Sequence, residues 1–141
     1  MSEPASRDRY YFSRPAWLSL AVAYMAGIFL LSSLPNSLLG RVGLSSSFAS
    51  LLHVPLFGLL ALLLLFALGT NRTALGSQGR PYLWAALITT VYGALDEVHQ
   101  AFAGGRDADL TDGLLDTFGA FVFLALARWH FARRRTRRAA A

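Results

Sequence analysis

The residues of this chain that could take part in chemistry are concentrated in one short segment. Six of the eight acidic residues lie within 21 positions, and the same segment contains His99, Gln100 and Arg106. The six are Asp96, Glu97, Asp107, Asp109, Asp112 and Asp116. Long apolar runs flank the segment, and ionisable groups at the border of a membrane helix are costly unless they are paired or hydrated. We therefore expect a functional site here, with carboxylates for acid–base chemistry and a guanidinium for binding an anion.

Helical spacing distributes these residues over adjacent faces. Glu97 and Gln100 share one stripe of a helix because they are three positions apart, and Asp96 and His99 share the neighbouring stripe. On the next helix three carboxylates follow one side, namely Asp109, Asp112 and Asp116. The short connection between the two helices favours an antiparallel pair. The two polar faces are therefore predicted to face each other.

His53 is the ionisable residue of the second apolar run and lies near its start. At 3.6 residues per turn it is about one and a half turns into that helix, at a depth similar to that of Glu97 and Asp116. The sequence thus predicts a polar pocket formed by three helices and open to the outer surface. Its expected ligand-binding residues are His53, Asp96, Glu97, His99, Gln100, Arg106, Asp109, Asp112 and Asp116.

Several of these residues also have purely structural interpretations. Asp109 is well placed to cap the N-terminus of the fourth helix. Glu97 and Arg106 could form an ion pair that holds two helices together. His53 could make a hydrogen bond between helices, and Asp107 could simply be solvated in the loop.

No metal or other cofactor is expected. The chain has no cysteine, and it contains no HExxH motif or comparable spacing of metal ligands. A metal site built from His53, Glu97, His99 and Asp112 is conceivable as an alternative.

Four apolar runs must position these residues. They cover approximately 16–34, 48–68, 81–103 and 110–131, and each reaches or approaches the roughly 20 residues needed to cross a bilayer. With 55% apolar residues and a mean hydropathy of +0.44, residues 1–141 are predicted to form a single all-α domain. This domain is a compact bundle of four transmembrane helices with a basic tail over 132–141. A signal peptide is disfavoured because the first run is too long and lacks a small-residue cleavage site.

The distribution of arginine predicts the orientation of the bundle. All thirteen basic residues are arginine, and eleven of them lie before the first helix, between the second and third, or at the C-terminal end. The positive-inside rule therefore places both termini in the cytoplasm and the acidic segment on the outer side. We expect the arginine-rich C-terminus to attract anionic membrane lipids. Nucleic-acid binding is not expected, because no recognition module is present.

Several segments resemble the VanZ-like family of small integral membrane proteins. The similarity is carried by 31–33 (LSS), 53–58 (HVPLFG) and 92–100 (YGALDEVHQ), followed by Arg106, Asp109, Asp112 and Gly119. The chain departs from the family pattern at Ala49-Ser50, where an acidic residue and a lysine are often found. It also departs at Phe57, where tyrosine is common, and at Asp116, where asparagine is common. The resemblance implies a multi-pass protein of the bacterial cytoplasmic membrane.

The resemblance also implies a role in the cell envelope, since the family is named for an accessory protein in resistance to glycopeptide antibiotics, particularly teicoplanin. We expect the pocket to bind an envelope precursor or another lipid-linked ligand, with Arg106 engaging an anionic group. The alternative is an intramembrane enzyme in which Glu97 and His53 act as acid and base and Asp112 orients them. A small transporter is a third interpretation, although four helices offer little surface unless the protein oligomerises.

Overall fold

The computed structural model describes residues 13–34, 46–69, 79–103 and 109–139, apart from the side chains of Ser46, Ala103 and Arg138. These residues form four helices and no strand: α1 (Arg14–Ser32), α2 (Ser46–Leu68), α3 (Gly79–Ala103) and α4 (Leu110–Ala139). For the described residues, the prediction of an all-α structure with four helices is confirmed. The predicted bounds agree to within two residues, except that α4 continues through Ala139 instead of ending at 131.

The extra length of α4 follows from the composition of its last turns. Arginine and alanine are among the strongest helix formers, and they make up nearly all of residues 132–139. The Thr136 hydroxyl donates a hydrogen bond to the Arg133 carbonyl at 2.9 Å, and the Arg133 guanidinium lies 4.1 Å from the centroid of the Trp129 ring. Most of the predicted basic tail is therefore a helical extension.

The centre of the bundle is α2, which packs against α1, α3 and most extensively α4. Two glycines allow the close approach of α2 and α4: Gly119 faces the backbone of Val54, and Gly58 faces the ring of Phe123. Helix α2 contributes more residues to the buried apolar core than any other helix, including Phe57, Leu60, Ala61, Leu64 and Leu65.

Hydrogen bonds from long side chains tie α1 to the other helices. The Tyr24 hydroxyl of α1 donates to the Leu56 carbonyl at 3.1 Å, and the Tyr92 hydroxyl of α3 donates to the Met25 carbonyl at 2.7 Å. At the start of α1, the Arg14 Nε donates to the carbonyl of Ala67 at 3.1 Å. Because Arg14 begins α1 and Ala67 lies in the last turn of α2, these two helices are antiparallel.

The distribution of polarity suits a membrane protein. Three helices are long and apolar enough to cross a bilayer: Arg14–Ser32, Ser47–Leu68 and Leu110–Arg137. Large apolar side chains point outward, as at Leu30 and Phe121, which are 66% and 59% exposed. Carboxylates on α3 and α4 are buried inside the bundle instead, as expected for polar residues at membrane depth.

Candidate functional site

Six polar side chains from three helices meet inside the bundle, and we call them the polar cluster. Its members are His53 of α2, Asp96, Glu97 and Gln100 of α3, and Asp112 and Asp116 of α4. Each of these residues is at most 9% exposed. The sequence predicts a recess open at the outer surface; in the described part of the chain these six side chains are buried between packed helices.

The strongest contact in the cluster joins His53 to Asp116. The Nδ1 of His53 lies 2.8 Å from Oδ1 of Asp116, and both side chains are buried. The other ring nitrogen, Nε2, lies 3.8 Å from Oδ2 of Asp112. A carboxylate bonded to one ring nitrogen fixes the orientation of the imidazole and favours a proton on that nitrogen. Nε2 is then the nitrogen that is free to accept a proton or to bind a ligand.

Two packing contacts hold this pair in place. The Phe57 ring stacks on the His53 ring, with centroids 5.9 Å apart and planes 7° from parallel. Gly93 of α3 faces the other member of the pair, because a Cβ at this position would lie 2.8 Å from Oδ2 of Asp116. The absence of a side chain at Gly93 thus leaves room for the Asp116 carboxylate.

Glu97 connects α3 to the start of α4. Its Oε2 accepts a hydrogen bond from the backbone N–H of Asp109 at 3.1 Å, which is one of the donors left free at a helix N-terminus. The Cγ of Glu97 would lie 3.8 Å from a Cβ at Gly113, so this glycine faces the Glu97 side chain. A second contact stays within α3, where Gln100 Nε2 donates to Oδ2 of Asp96 at 2.9 Å.

Each of the four carboxylates in the cluster keeps one buried oxygen that has no hydrogen-bond partner among the described residues. These atoms are Asp96 Oδ1, Glu97 Oε1, Asp112 Oδ1 and Asp116 Oδ2. A buried acceptor without a donor costs about 1–3 kcal/mol, and more when it is charged. The cluster therefore has the acceptor capacity to bind a cation or a group that donates hydrogen bonds.

Two of the predicted site residues lie apart from the cluster. His99 Nε2 is 2.9 Å from the Ser33 hydroxyl, and its ring stacks on Phe29 with centroids 4.2 Å apart. His99 thus joins α3 to α1, and the Ser33 contact was not foreseen from the sequence. Asp109 is exposed, and its Oδ1 accepts from the Thr111 backbone N–H at 2.8 Å, as expected of a helix cap.

Asp109 is exposed and lies beside the polar cluster, and the hydrogen bonds of the helix cap determine its charge state. Hydrogen bonds from the Thr111 backbone N–H and hydroxyl lower the pKa of the Asp109 carboxyl. The carboxylate is thus ionised beside the N-terminus of α4, where the helix dipole favours negative charge. The remaining predicted residue, Arg106, lies outside the described residues, as does Asp107.

Two cavities lie away from the cluster. One, of about 530 Å³, is formed between α3 and α4 and is lined by residues that include Tyr82, Leu83, Leu87, Phe121 and Arg128. The other, of about 470 Å³, lies along α2 and α4 and is lined by residues that include Phe66, Phe123, Trp129 and Phe131. Both are predominantly apolar, so they suit hydrocarbon and offer little to a polar ligand.

The helices and the buried polar cluster define a small helical membrane protein. The model of the VanZ/LLP1 family matches residues 16–132, and the chain therefore belongs to this family. The match covers all four helices except the first two residues of α1 and the last turns of α4. Comparison with the curated proteins and with the solved structures finds no match.

Proposed function

We propose that the chain crosses the bacterial cytoplasmic membrane four times, with both termini in the cytoplasm. The placement of arginine supports this orientation. The third crossing, by α3, is supported by the direction of its side chains: Leu83, Leu95 and Phe102 are exposed at 65%, 61% and 87%, whereas Asp96 and Glu97 are buried. A helix that hides its carboxylates and exposes its leucines can lie in a bilayer despite its lower mean hydropathy.

At the outer side of this bundle, we propose that the polar cluster binds the headgroup of an envelope lipid or lipid-linked precursor. The observation that carries the proposal is the set of four buried carboxylates, each with one oxygen that lacks a partner among the described residues. Acceptors of this kind favour a ligand that donates hydrogen bonds, such as a sugar hydroxyl or an ammonium group. Arg106 is proposed to contact an anionic part of the same ligand.

This binding role would connect the protein to envelope homeostasis and to glycopeptide susceptibility, particularly to teicoplanin. The family assignment supports the connection, because the family takes its name from an accessory protein in glycopeptide resistance. A protein that binds a lipid-linked envelope precursor would change how much of that precursor is accessible at the membrane surface.

A second candidate function is an intramembrane enzyme, and the geometry of His53 favours it. Asp116 is bonded to Nδ1 at 2.8 Å, which leaves Nε2 available for proton transfer, as in other carboxylate–imidazole pairs. Glu97 lies close enough to His53 to share a ligand with it. In this role His53 and Glu97 exchange protons with the substrate, and Asp112 helps to orient the imidazole.

One experiment separates the two candidates. The purified full chain is incubated with envelope lipid extract, and the lipids retained and released are analysed by mass spectrometry. A lipid that co-purifies unchanged supports binding, and a new product supports catalysis. If no lipid is enriched relative to bulk phospholipid and no product forms, both candidates are wrong.

The matched variants for this experiment are Glu97→Gln and Asp109→Asn. Glu97→Gln keeps the side chain's shape and an oxygen for the Asp109 N–H but removes the buried charge, so we expect at least about tenfold weaker retention, which corresponds to about 1.4 kcal/mol. Asp109→Asn also replaces a carboxylate by an amide, but at an exposed residue beside the cluster, so this variant should retain the lipid. Equal retention by Glu97→Gln and the wild type would exclude the cluster as the binding site.

A further inference from the structure

We infer that His53, Glu97 and Asp116 bind a divalent first-row metal ion, of which Zn²⁺ and Mn²⁺ are the best candidates. One potential ligand atom from each residue lies within 4.8 Å of the other two. The three residues come from α2, α3 and α4, so a bound ion would join three helices. This inference does not depend on the proposed headgroup, because the ion needs only side chains of this chain.

The three side chains are close enough to bind a single ion once they draw together. Bonds from a metal to imidazole nitrogen and carboxylate oxygen are about 2.0–2.2 Å, so two ligands of one ion are at most about 4.4 Å apart and about 3 Å apart when adjacent. The Nδ1 of His53 and Oδ1 of Asp116 are 2.8 Å apart, and an ion bound between these two atoms would replace the proton of their hydrogen bond. A ligand atom of Glu97 lies within 4.8 Å of the other two, so the side chains must draw closer together around a bound ion.

Burial and hydrogen bonding distinguish this set from an ordinary group of acidic residues. Glu97 and Asp116 are 8% and 0% exposed, and each has a buried oxygen without a partner among the described residues, Oε1 and Oδ2 respectively. The other oxygen of Glu97 is held by the backbone N–H of Asp109. Such an outer hydrogen bond orients a ligating carboxylate, which leaves its free oxygen for the metal.

Charge balance favours a divalent cation. Two carboxylates and one neutral imidazole carry a charge of −2, which one divalent ion compensates. A third carboxylate, Asp112, has its Oδ2 3.8 Å from the His53 Nε2, so it lies beside the other ring nitrogen and can orient the imidazole. Burying carboxylates together without a compensating charge costs several kcal/mol per ion.

The types of ligand atom select among metals. Imidazole suits zinc and the other first-row transition ions, carboxylate also suits manganese, and magnesium and calcium prefer sites made entirely of oxygen. The sequence contains no cysteine, which removes thiolate. The expectation of no metal rested on the absence of a local motif. Because positions 53, 97 and 116 are far apart in the sequence, a site built from them has no local motif by which it could be recognised.

The test measures metal binding on the full chain, purified in detergent and stripped with a chelator. Equilibrium dialysis against Zn²⁺ and Mn²⁺ should give about one ion per chain. His53→Gln, Glu97→Gln and Asp116→Asn should each weaken binding by at least about 100-fold, since even outer-shell changes cost 10–100-fold. His99→Gln and Asp109→Asn are the matched controls, because they make the same changes outside the site, and they should bind like the wild type.

A second measurement uses the wild type alone and does not depend on whether a variant folds. Stripped protein titrated with Co²⁺ should develop the d–d absorption bands of a cobalt ion bound to nitrogen and oxygen, saturating at one equivalent, and Zn²⁺ should remove them. Absence of these bands, or binding by His53→Gln equal to that of the wild type, overturns the site. Unchanged lipid retention by the stripped protein would leave the headgroup proposal intact, so the two proposals can fail separately.

Discussion

The contact between Gly119 and α2 allows a quantitative prediction. A Cβ at Gly119 would lie 2.9 Å from both the carbonyl carbon and the Cα of Val54, and closer still to its carbonyl oxygen. Ordinary contact between carbon atoms begins at about 3.5 Å. Because the obstructing atoms belong to backbone, no side-chain rotation relieves the overlap in Gly119→Ala. The two helices must therefore separate by about 0.6 Å or more at this point.

The free energy of unfolding should fall by about 3 kcal/mol. Overpacking costs typically 1–3 kcal/mol, and a backbone neighbour places this site at the upper end. Replacing glycine by alanine inside a helix stabilises that helix by at most about 1 kcal/mol, which offsets part of this cost. The separation also stretches the 2.8 Å contact between His53 and Asp116, which lie one and three residues from the point of overlap. Losing a charge-assisted hydrogen bond costs about 1.5 kcal/mol more.

Gly27→Ala is the matched control for this prediction. Nothing lies within 4 Å of a Cβ at Gly27, so the same substitution in α1 should leave stability unchanged or raise it by up to about 1 kcal/mol. The assay is equilibrium unfolding in mixed micelles with increasing dodecyl sulfate, followed by helical circular dichroism. A Gly119→Ala variant within 0.5 kcal/mol of the wild type, or an equal loss in Gly27→Ala, would refute the contact between α2 and α4.

Three further predictions concern the cluster and the orientation of the chain. Gly93→Ala should displace the Asp116 carboxylate, because the new Cβ would lie 2.8 Å from its Oδ2; we expect a loss of about 1–2 kcal/mol in the same unfolding assay, and weaker binding at the cluster. Asp109→Asn should keep the backbone N–H that donates to Glu97. The lowered pKa of the Asp109 carboxyl contributes stability that is lost as the pH falls through that pKa, so the stability of this variant should decline less at acidic pH than that of the wild type. Cysteines replacing Arg72 and Arg106 should react with an impermeant reagent from opposite sides of the membrane, and labelling from one side would refute the topology.

The helices could be predicted from the sequence because each apolar run is long and ends at polar or helix-breaking residues. The exception, the C-terminal end of α4, has a physical cause. The prediction ended this helix at 131, where the apolar run stops, but the arginine- and alanine-rich segment that follows has a high helix propensity of its own. The helix therefore continues to Ala139. Hydropathy indicates which part of a helix can lie in the membrane, whereas the helix propensity of the following residues decides where the helix ends.

The candidate site could be predicted only in part, for a related reason. Helical spacing correctly placed Glu97 on the side of α3 that faces α4, because that spacing depends on local geometry alone. The same reasoning grouped His99 with Asp96, but His99 contacts Ser33 and Phe29 instead. Its position is decided by where α1 packs against α3, and no pattern within α3 encodes that. Contacts across helices far apart in sequence need the tertiary structure.

Charge compensation links the metal and the headgroup proposals. The cluster contains four carboxylates and one imidazole in a largely apolar bundle, and this charge requires a compensating cation or bound protons. A metal ion at His53, Glu97 and Asp116 would compensate two of the charges and leave the other two carboxylates to accept hydrogen bonds from a headgroup. Arg106 is the residue that we propose as the alternative source of positive charge. If the metal provides the compensation, adding Zn²⁺ or Mn²⁺ should stabilise the wild type and the Arg106→Ala variant alike; if Arg106 provides it, Arg106→Ala should lose stability that no metal restores.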